Sequence, residues 1–298
     1  MAAFRTPHRL SLFSIVLFAI SVCCSCASAQ SGAVHLTPAV VEVGAPELIE
    51  VQAPADAVLS GDWLGRELHF FRGSSGRVWF ALAGVDVQAE PGISELRIKE
   101  KLSNGETRDL SVAAKINTGH YKSGKLTVSP KFVEPPVEAM AEIKAEVELK
   151  KRVFGLSAEQ PLWAGNFRAP VAAESTDSFG TRRTFNGKLA SVHQGMDFRA
   201  STGTPVRAGN SGTVVLARKL YYEGNCVAID HGLGLYTISM HLSRIDVAEG
   251  QQVQKGQQLG LSGATGRVTG PHLHWAVRWE GAYLDPAKLL KLDLARAR

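Results

Sequence analysis

The stretch Gly270-Pro271-His272-Leu273-His274-Trp275-Ala276-Val277 limits what this chain can fold into more than any other. Two histidines two residues apart, leading into an apolar run, share one face of a β-strand, because strand side chains repeat every two residues. On a helix the same spacing would turn them about 200° apart. The segment therefore reads as a strand that presents both imidazoles together.

Two convergent imidazoles begin a metal site, and its remainder must come from elsewhere in the chain. His193-Gln194-Gly195-Met196-Asp197 is the best candidate, set among strand and turn signals that run on to Gly203-Thr204-Pro205-Val206. A spacing of four puts His193 and Asp197 on the same side of a strand. Straight strand geometry would hold their Cα atoms about 13 Å apart, so a bend is expected between them. Gly195 sits midway on that face, where the lack of a side chain permits the bend and leaves room for an ion. His193, Asp197 and one histidine of the pair offer two nitrogens and an oxygen. A fourth position is left for water, the composition of a catalytic rather than a structural zinc site. Spacing alone does not decide which histidine of the pair is the ligand.

The order of these motifs resembles the lysostaphin-type zinc peptidases, the M23 or LytM-like family. Between the two motifs lie Asp230-His231-Gly232, Thr237, His241-Leu242-Ser243 and Gly260-x-Ser262-Gly263-x-Thr265-Gly266, each in the family's order. The resemblance covers roughly Pro161 to Pro286 and implies an antiparallel sheet folded around a groove, with one zinc ion per chain. It assigns the metal ligands to His193, Asp197 and His274. His272 is then left to take and return a proton, and His241 to steady the oxyanion or the water. Arg182 and Arg183, in the loop leading to the first ligand, are candidates for contacting substrate; solvated surface charges would read the same way. His231 has a loop setting that suits a turn role. The implied function is a zinc metalloendopeptidase acting on peptide bonds in peptidoglycan stems or cross-links. The alternative is a non-catalytic regulator or activator of another wall hydrolase, a role filled by family members that have lost metal ligands.

The N-terminus is a separate matter. Arg5, His8 and Arg9 precede an uncharged apolar run from Leu10 to Val22, and Ala27-Ser28-Ala29 has the form of a cleavage site. Residues 1–29 therefore read as a signal peptide rather than a membrane span, which needs about 20 apolar residues. Export to the periplasm or beyond follows, with no stable membrane insertion after cleavage. Cys23, Cys24 and Cys26 raise the question of lipidation, although Val22 stands where a small residue usual for that signal would be. Cleavage leaves Cys226 as the one cysteine, so the mature chain has no internal disulfide, and its apolar setting marks it as core. Losing Arg5 and Arg9 lowers the formal charge from +5 to +3. That is a weak attraction for anionic envelope polymers, with no basic run to suggest nucleic acid as a partner.

The whole is expected to be mainly β. Residues 30–120 carry short alternating runs separated by turn signals, among them Asn104-Gly105, and read as an Ig-like β-sandwich. Residues 121–160 read as a linker with a helix near Val137 to Val153, on which Glu142, Glu146 and Lys150 share an exposed face. Residues 161–298 form the peptidase-like domain.

Overall fold

The computed structural model describes residues 34–297. The expected signal peptide and the lipidation candidates Cys23, Cys24 and Cys26 lie outside the described residues.

Two sheets make the N-terminal unit. One runs in spatial order Val34–Thr37, Pro46–Gln52, Val78–Gly84, Phe70–Arg72; the other runs Val41–Glu42, Thr107–Asn117, Gly92–Lys101, Val58–Trp63, Arg66–Leu68. This is the immunoglobulin partition of strands between two sheets, with Val41–Glu42 added in parallel to Thr107–Asn117. Alternation explains the core: Leu96 and Ile98 point inward from one sheet and Leu48, Phe80 and Leu82 from the other, around a buried Trp63. Asn104-Gly105 does sit in a hairpin, but within a longer loop. Lys101 pairs with Thr107, and the Asn104 side chain accepts from Glu106 N at 2.9 Å.

The segment expected as a linker with a helix is bound into the C-terminal unit. Ser123–Leu126 pairs in parallel with Arg182–Phe185, which pairs in turn with Leu189–Val192. The helix does span Val137–Val153, yet its polar stripe is not all solvated. Glu142 is exposed, whereas Glu146 is buried and accepts from Tyr221 N at 2.8 Å, and Lys150 pairs with Glu223 at 2.5 Å. Those partners come from a distant loop, so helical spacing could not distinguish them from water. Leu149, Val153 and Phe154 complete the contact by packing on Leu216, Cys226, Ala228 and Ile238.

A large antiparallel sheet carries the C-terminal unit. Its order is Ser175–Asp177, Met196–Phe198, Leu273–Trp279, Leu235–Leu242, Gly224–Asp230, Gly212–Leu220, Gln252–Val253, with Ala282–Leu284 also on Leu273–Trp279. A smaller sheet of Pro205–Arg207, Gln258–Leu261 and Arg244–Ile245 packs beside it. Along Leu273–Trp279, Trp275, Val277 and Trp279 enter the main core, while His274 and Ala276 face the other way, into a groove. The two units meet closely. Asp285 N donates to the Gly44 carbonyl at 2.7 Å, Tyr283 N to Asp86 Oδ2 at 2.9 Å, and Lys288 pairs with Glu42 at 2.6 Å. No described helix is long and apolar enough to cross a membrane.

Candidate metal centre and groove

Sheet register brings the first two groups together. Asp197 stands directly opposite His274 on the neighbouring strand, and His274 Nδ1 lies 2.8 Å from Asp197 Oδ1. His193 arrives from the turn between Leu189–Val192 and Met196–Phe198, the bend expected from the spacing. Its Nε2 lies 3.1 Å from Asp197 Oδ1 and 3.0 Å from His274 Nδ1. Gly195 makes this approach possible. A Cβ there would stand 2.5 Å from His274 Nε2 and 2.7 Å from the Trp275 carbonyl oxygen.

The protons of His193 are fixed by its other partner. A carbonyl can only accept, so Nδ1 donates to Ser178 O at 3.0 Å, and neutral His193 turns a lone pair at Nε2 toward Asp197 and His274. Three buried ligand atoms thus converge within 4.8 Å of one another. Around tetrahedral zinc, ligand atoms bonded at about 2.0–2.2 Å would be spaced by about 3.3–3.6 Å, so the donor set fits that ion once the three side chains part by a few tenths of an ångström. Burial acts to raise the Asp197 carboxyl, but hydrogen bonds from the His193 and His274 rings, where the facing nitrogens carry the protons, overcome it and hold the group well below the usual carboxylate range. Burial also lowers the His274 imidazole, against the pull of Asp197.

Asp197 is held from its other side. Arg183 places Nη2 2.7 Å from Asp197 Oδ2 and also binds Asp177, which stands opposite Asp197 on the edge strand. Thr181 Oγ1 donates to Asp177 Oδ1 at 2.9 Å. One guanidinium therefore neutralises two adjacent acids and leaves Asp197 Oδ1 for the histidines.

Two further imidazoles face this cluster. His241 lies 5.0 Å from His272 and 6.0 Å from His274 between ring centroids. Its Nδ1 donates to Thr265 O at 2.9 Å, and its backbone N donates to Glu223 O at 2.9 Å. These bonds hold it at φ +65°, a left-handed conformation that costs a non-glycine residue about 1–3 kcal/mol. Burial, with the neighbouring His274 and His272, pushes its imidazole down to about 3. His272 donates Nδ1–H to Gly270 O at 2.8 Å, and its Nε2 lies 3.8 Å from Asp197 Oδ1. Each of these two rings therefore offers a lone pair at Nε2.

All five groups open onto a groove of about 420 Å³. Arg183 is on its wall, while Arg182 points into a neighbouring cavity with Ser123, Lys125 and Gln88. His231 lies outside both; wholly buried, it bridges Ser211 O at 2.7 Å and Thr237 Oγ1 at 2.8 Å. Cys226 is free and buried in the core. Arg267 was not singled out by the motifs, yet it lines the groove with its guanidinium over Phe185 and Tyr222, 4.8 Å from each ring centroid. Its place in the loop before Gly270-Pro271-His272 was the one available signal.

Residues 191–286 match the model of peptidase family M23. The peptidoglycan DD-endopeptidase ShyA of Vibrio cholerae is 44% identical over 110 residues, which are 37% of this chain and 25% of that protein. The DD-carboxypeptidase/endopeptidase Mpg of Neisseria meningitidis serogroup B is 41% identical over 98 residues, 33% of this chain and 23% of that one. The chain thus spans about a quarter of the length of these curated relatives. A crystal structure of an M23 peptidase candidate from Pseudomonas aeruginosa is 26% identical, covers 80% of this chain and 95% of its own, and superposes with a TM-score of 0.58. Its coverage extends the likeness of fold beyond residues 191–286. The motif order, the strand pairing of Asp197 with His274 and these matches lead to one conclusion: residues 191–286 of the chain are a domain of peptidase family M23.

Proposed function

We propose that the chain is an exported zinc metalloendopeptidase that hydrolyses a peptide amide of peptidoglycan. The observation that carries this reading is the convergence of His193 Nε2, Asp197 Oδ1 and His274 Nδ1 beside two further imidazoles in an open groove. The substrate class is drawn from the relatives, named as peptidoglycan DD-endopeptidase and DD-carboxypeptidase/endopeptidase.

Zinc, when bound by His193, Asp197 and His274, supplies a Lewis acid for the scissile carbonyl and acidifies water at neutral pH. The remaining work falls to the chain's own residues. With Nδ1–H committed to Gly270 O, neutral His272 accepts the proton of the attacking water at Nε2 and returns it to the leaving amine. His241 also keeps its proton on Nδ1, and its burial keeps it neutral. It therefore acts as an acceptor that orients water, rather than as a donor to the oxyanion. Arg183 holds Asp197 ionised and in place. A non-catalytic regulator would have no use for this complete set of ligands and lone pairs.

The test is release of new amino groups from purified cross-linked peptidoglycan by the zinc-loaded chain, beside a chelated sample. Cleavage that stops on chelation supports the reading, and the muropeptides released identify the bond. Binding to the polymer with no amine released would overturn it in favour of the regulator.

A further inference from the structure

Arg267 is held rigidly at the groove without an acidic partner. Its backbone N donates to Tyr222 O at 2.8 Å. The preceding Gly266 has φ +77°, and a Cβ there would stand 2.4 Å from Gly224 N and 2.5 Å from Tyr222 O, so only glycine fits the turn that delivers Arg267. The guanidinium then lies over the rings of Phe185, from the strand Arg182–Phe185, and of Tyr222. Phe132 packs against Tyr222 from behind, with ring centroids 6.4 Å apart. Two cation–π contacts thus hold the guanidinium in place at the groove.

The charges around it define what it can take. Arg183 and Arg267 are the cationic side chains on the groove wall among the described residues. Arg183 is occupied by Asp177 and Asp197, and Glu223, the other acid on the wall, is paired with Lys150. Arg267 makes no ion pair among the described residues. A half-buried guanidinium beside two aromatic rings, with no ion pair among the described residues, suits a carboxylate, since its parallel N–H groups match one bidentately.

We propose that Arg267 binds a free carboxylate of the substrate peptide close to the scissile amide, and so selects peptides that carry a carboxylate on the carbon next to the amide nitrogen over those amidated there. This rests on the metalloendopeptidase reading. A bond between two D-centres has this feature where the residue that contributes the nitrogen keeps its own carboxyl free on the adjoining carbon. The same feature is shared by a terminal bond, cut by a carboxypeptidase, and by a cross-link, cut by an endopeptidase. An oligoglycine bridge lacks it at internal bonds.

The experiment uses two purified muropeptide dimers that differ only at the carboxyl beside the cross-link nitrogen, free in one and amidated in the other. Binding is measured by calorimetry on the chelated chain, where nothing is cut, and kcat/KM on the zinc-loaded chain. The wild type is expected to prefer the free acid by about tenfold or more, the range for a hydrogen bond to a charged group. Arg267→Met should lose that preference by weakening only the acid dimer, and Arg267→Lys, which keeps the charge, should retain part of it. Equal binding of both dimers by the wild type, or equal weakening of both by either variant, overturns the proposal. An Arg267-dependent preference in binding with neither dimer cut would leave the carboxylate site standing and remove the hydrolytic reading. Equal cutting of both would do the reverse.

Discussion

Arg183 and His274 grip opposite oxygens of Asp197, Arg183 reaching Oδ2 at 2.7 Å and His274 reaching Oδ1 at 2.8 Å. The carboxylate is thereby fixed in rotation before any metal arrives. Asp177 sits across the sheet as a second negative charge that Arg183 also pairs with.

Arg183→Met should therefore weaken zinc binding without removing a ligand. Loss of a partner that orients a metal-binding residue typically lowers metal affinity about 10- to 100-fold. Competition against a chelator of known affinity measures it. Wild-type affinity in the variant would show that Asp197 needs no such support.

Gly195→Ala places a methyl where the His274 ring and the Trp275 carbonyl already stand, at 2.5 and 2.7 Å. Either the ring turns away or the strand shifts, at about 1–3 kcal/mol for an overpacked site. The expected result is a folded protein that binds less than one zinc per chain and does not cleave. A variant that binds a full equivalent of zinc and cuts normally would contradict the proposed role for this glycine.

Glu47 supplies a pH-dependence of stability away from the groove. It is fully buried, and both its carboxyl oxygens lack a partner among the described residues. Burial pushes its pKa up to about 9, with Lys288 opposing and Glu42 adding to the shift. Between the ordinary value of 4.5 and about 9 the folded chain holds a proton that the unfolded chain has released. The folded state is therefore most favoured below the lower value and is progressively destabilised as pH rises through this window. By pH 7 the effect is about 3 kcal/mol. Glu47→Gln should remove this fall, giving a flatter plot of melting temperature against pH from 5 to 9. An unchanged slope in the variant would mean that the carboxyl ionises freely.

Some of this was open to reading from the residues. Strand period two is strict, so the side shared by His272 and His274 followed from two positions, and Gly195 signalled the bend that brings His193 round to Asp197. The helix at Val137–Val153 was also legible from its spacing. Glu146 was not, because a polar stripe looks the same whether it faces water or the backbone of Tyr221. The strand Val58–Trp63 was hidden by Ser60, Gly61 and Asp62, which break its apolar pattern although Leu59 and Trp63 are core. Arg183 read as a free cation because its acids lie at Asp177 and on another strand at Asp197. Arg267 carried no mark beyond its place before Gly270-Pro271-His272: its setting depends on Phe185 and Tyr222, brought to it only by the fold.

The most direct measurement compares His241→Ala with His274→Ala for bound zinc and for amide cleavage in the same preparations. His274→Ala should lose both. His241→Ala, which removes a lone pair but no ligand, should keep a full equivalent of zinc and lose about 100-fold or more in kcat, the scale for a catalytic group that acts directly on the reacting atoms. Undiminished cleavage by the zinc-bound His241→Ala protein, or by a zinc-free His274→Ala protein, would contradict the assignment of metal centre and catalysis to these residues.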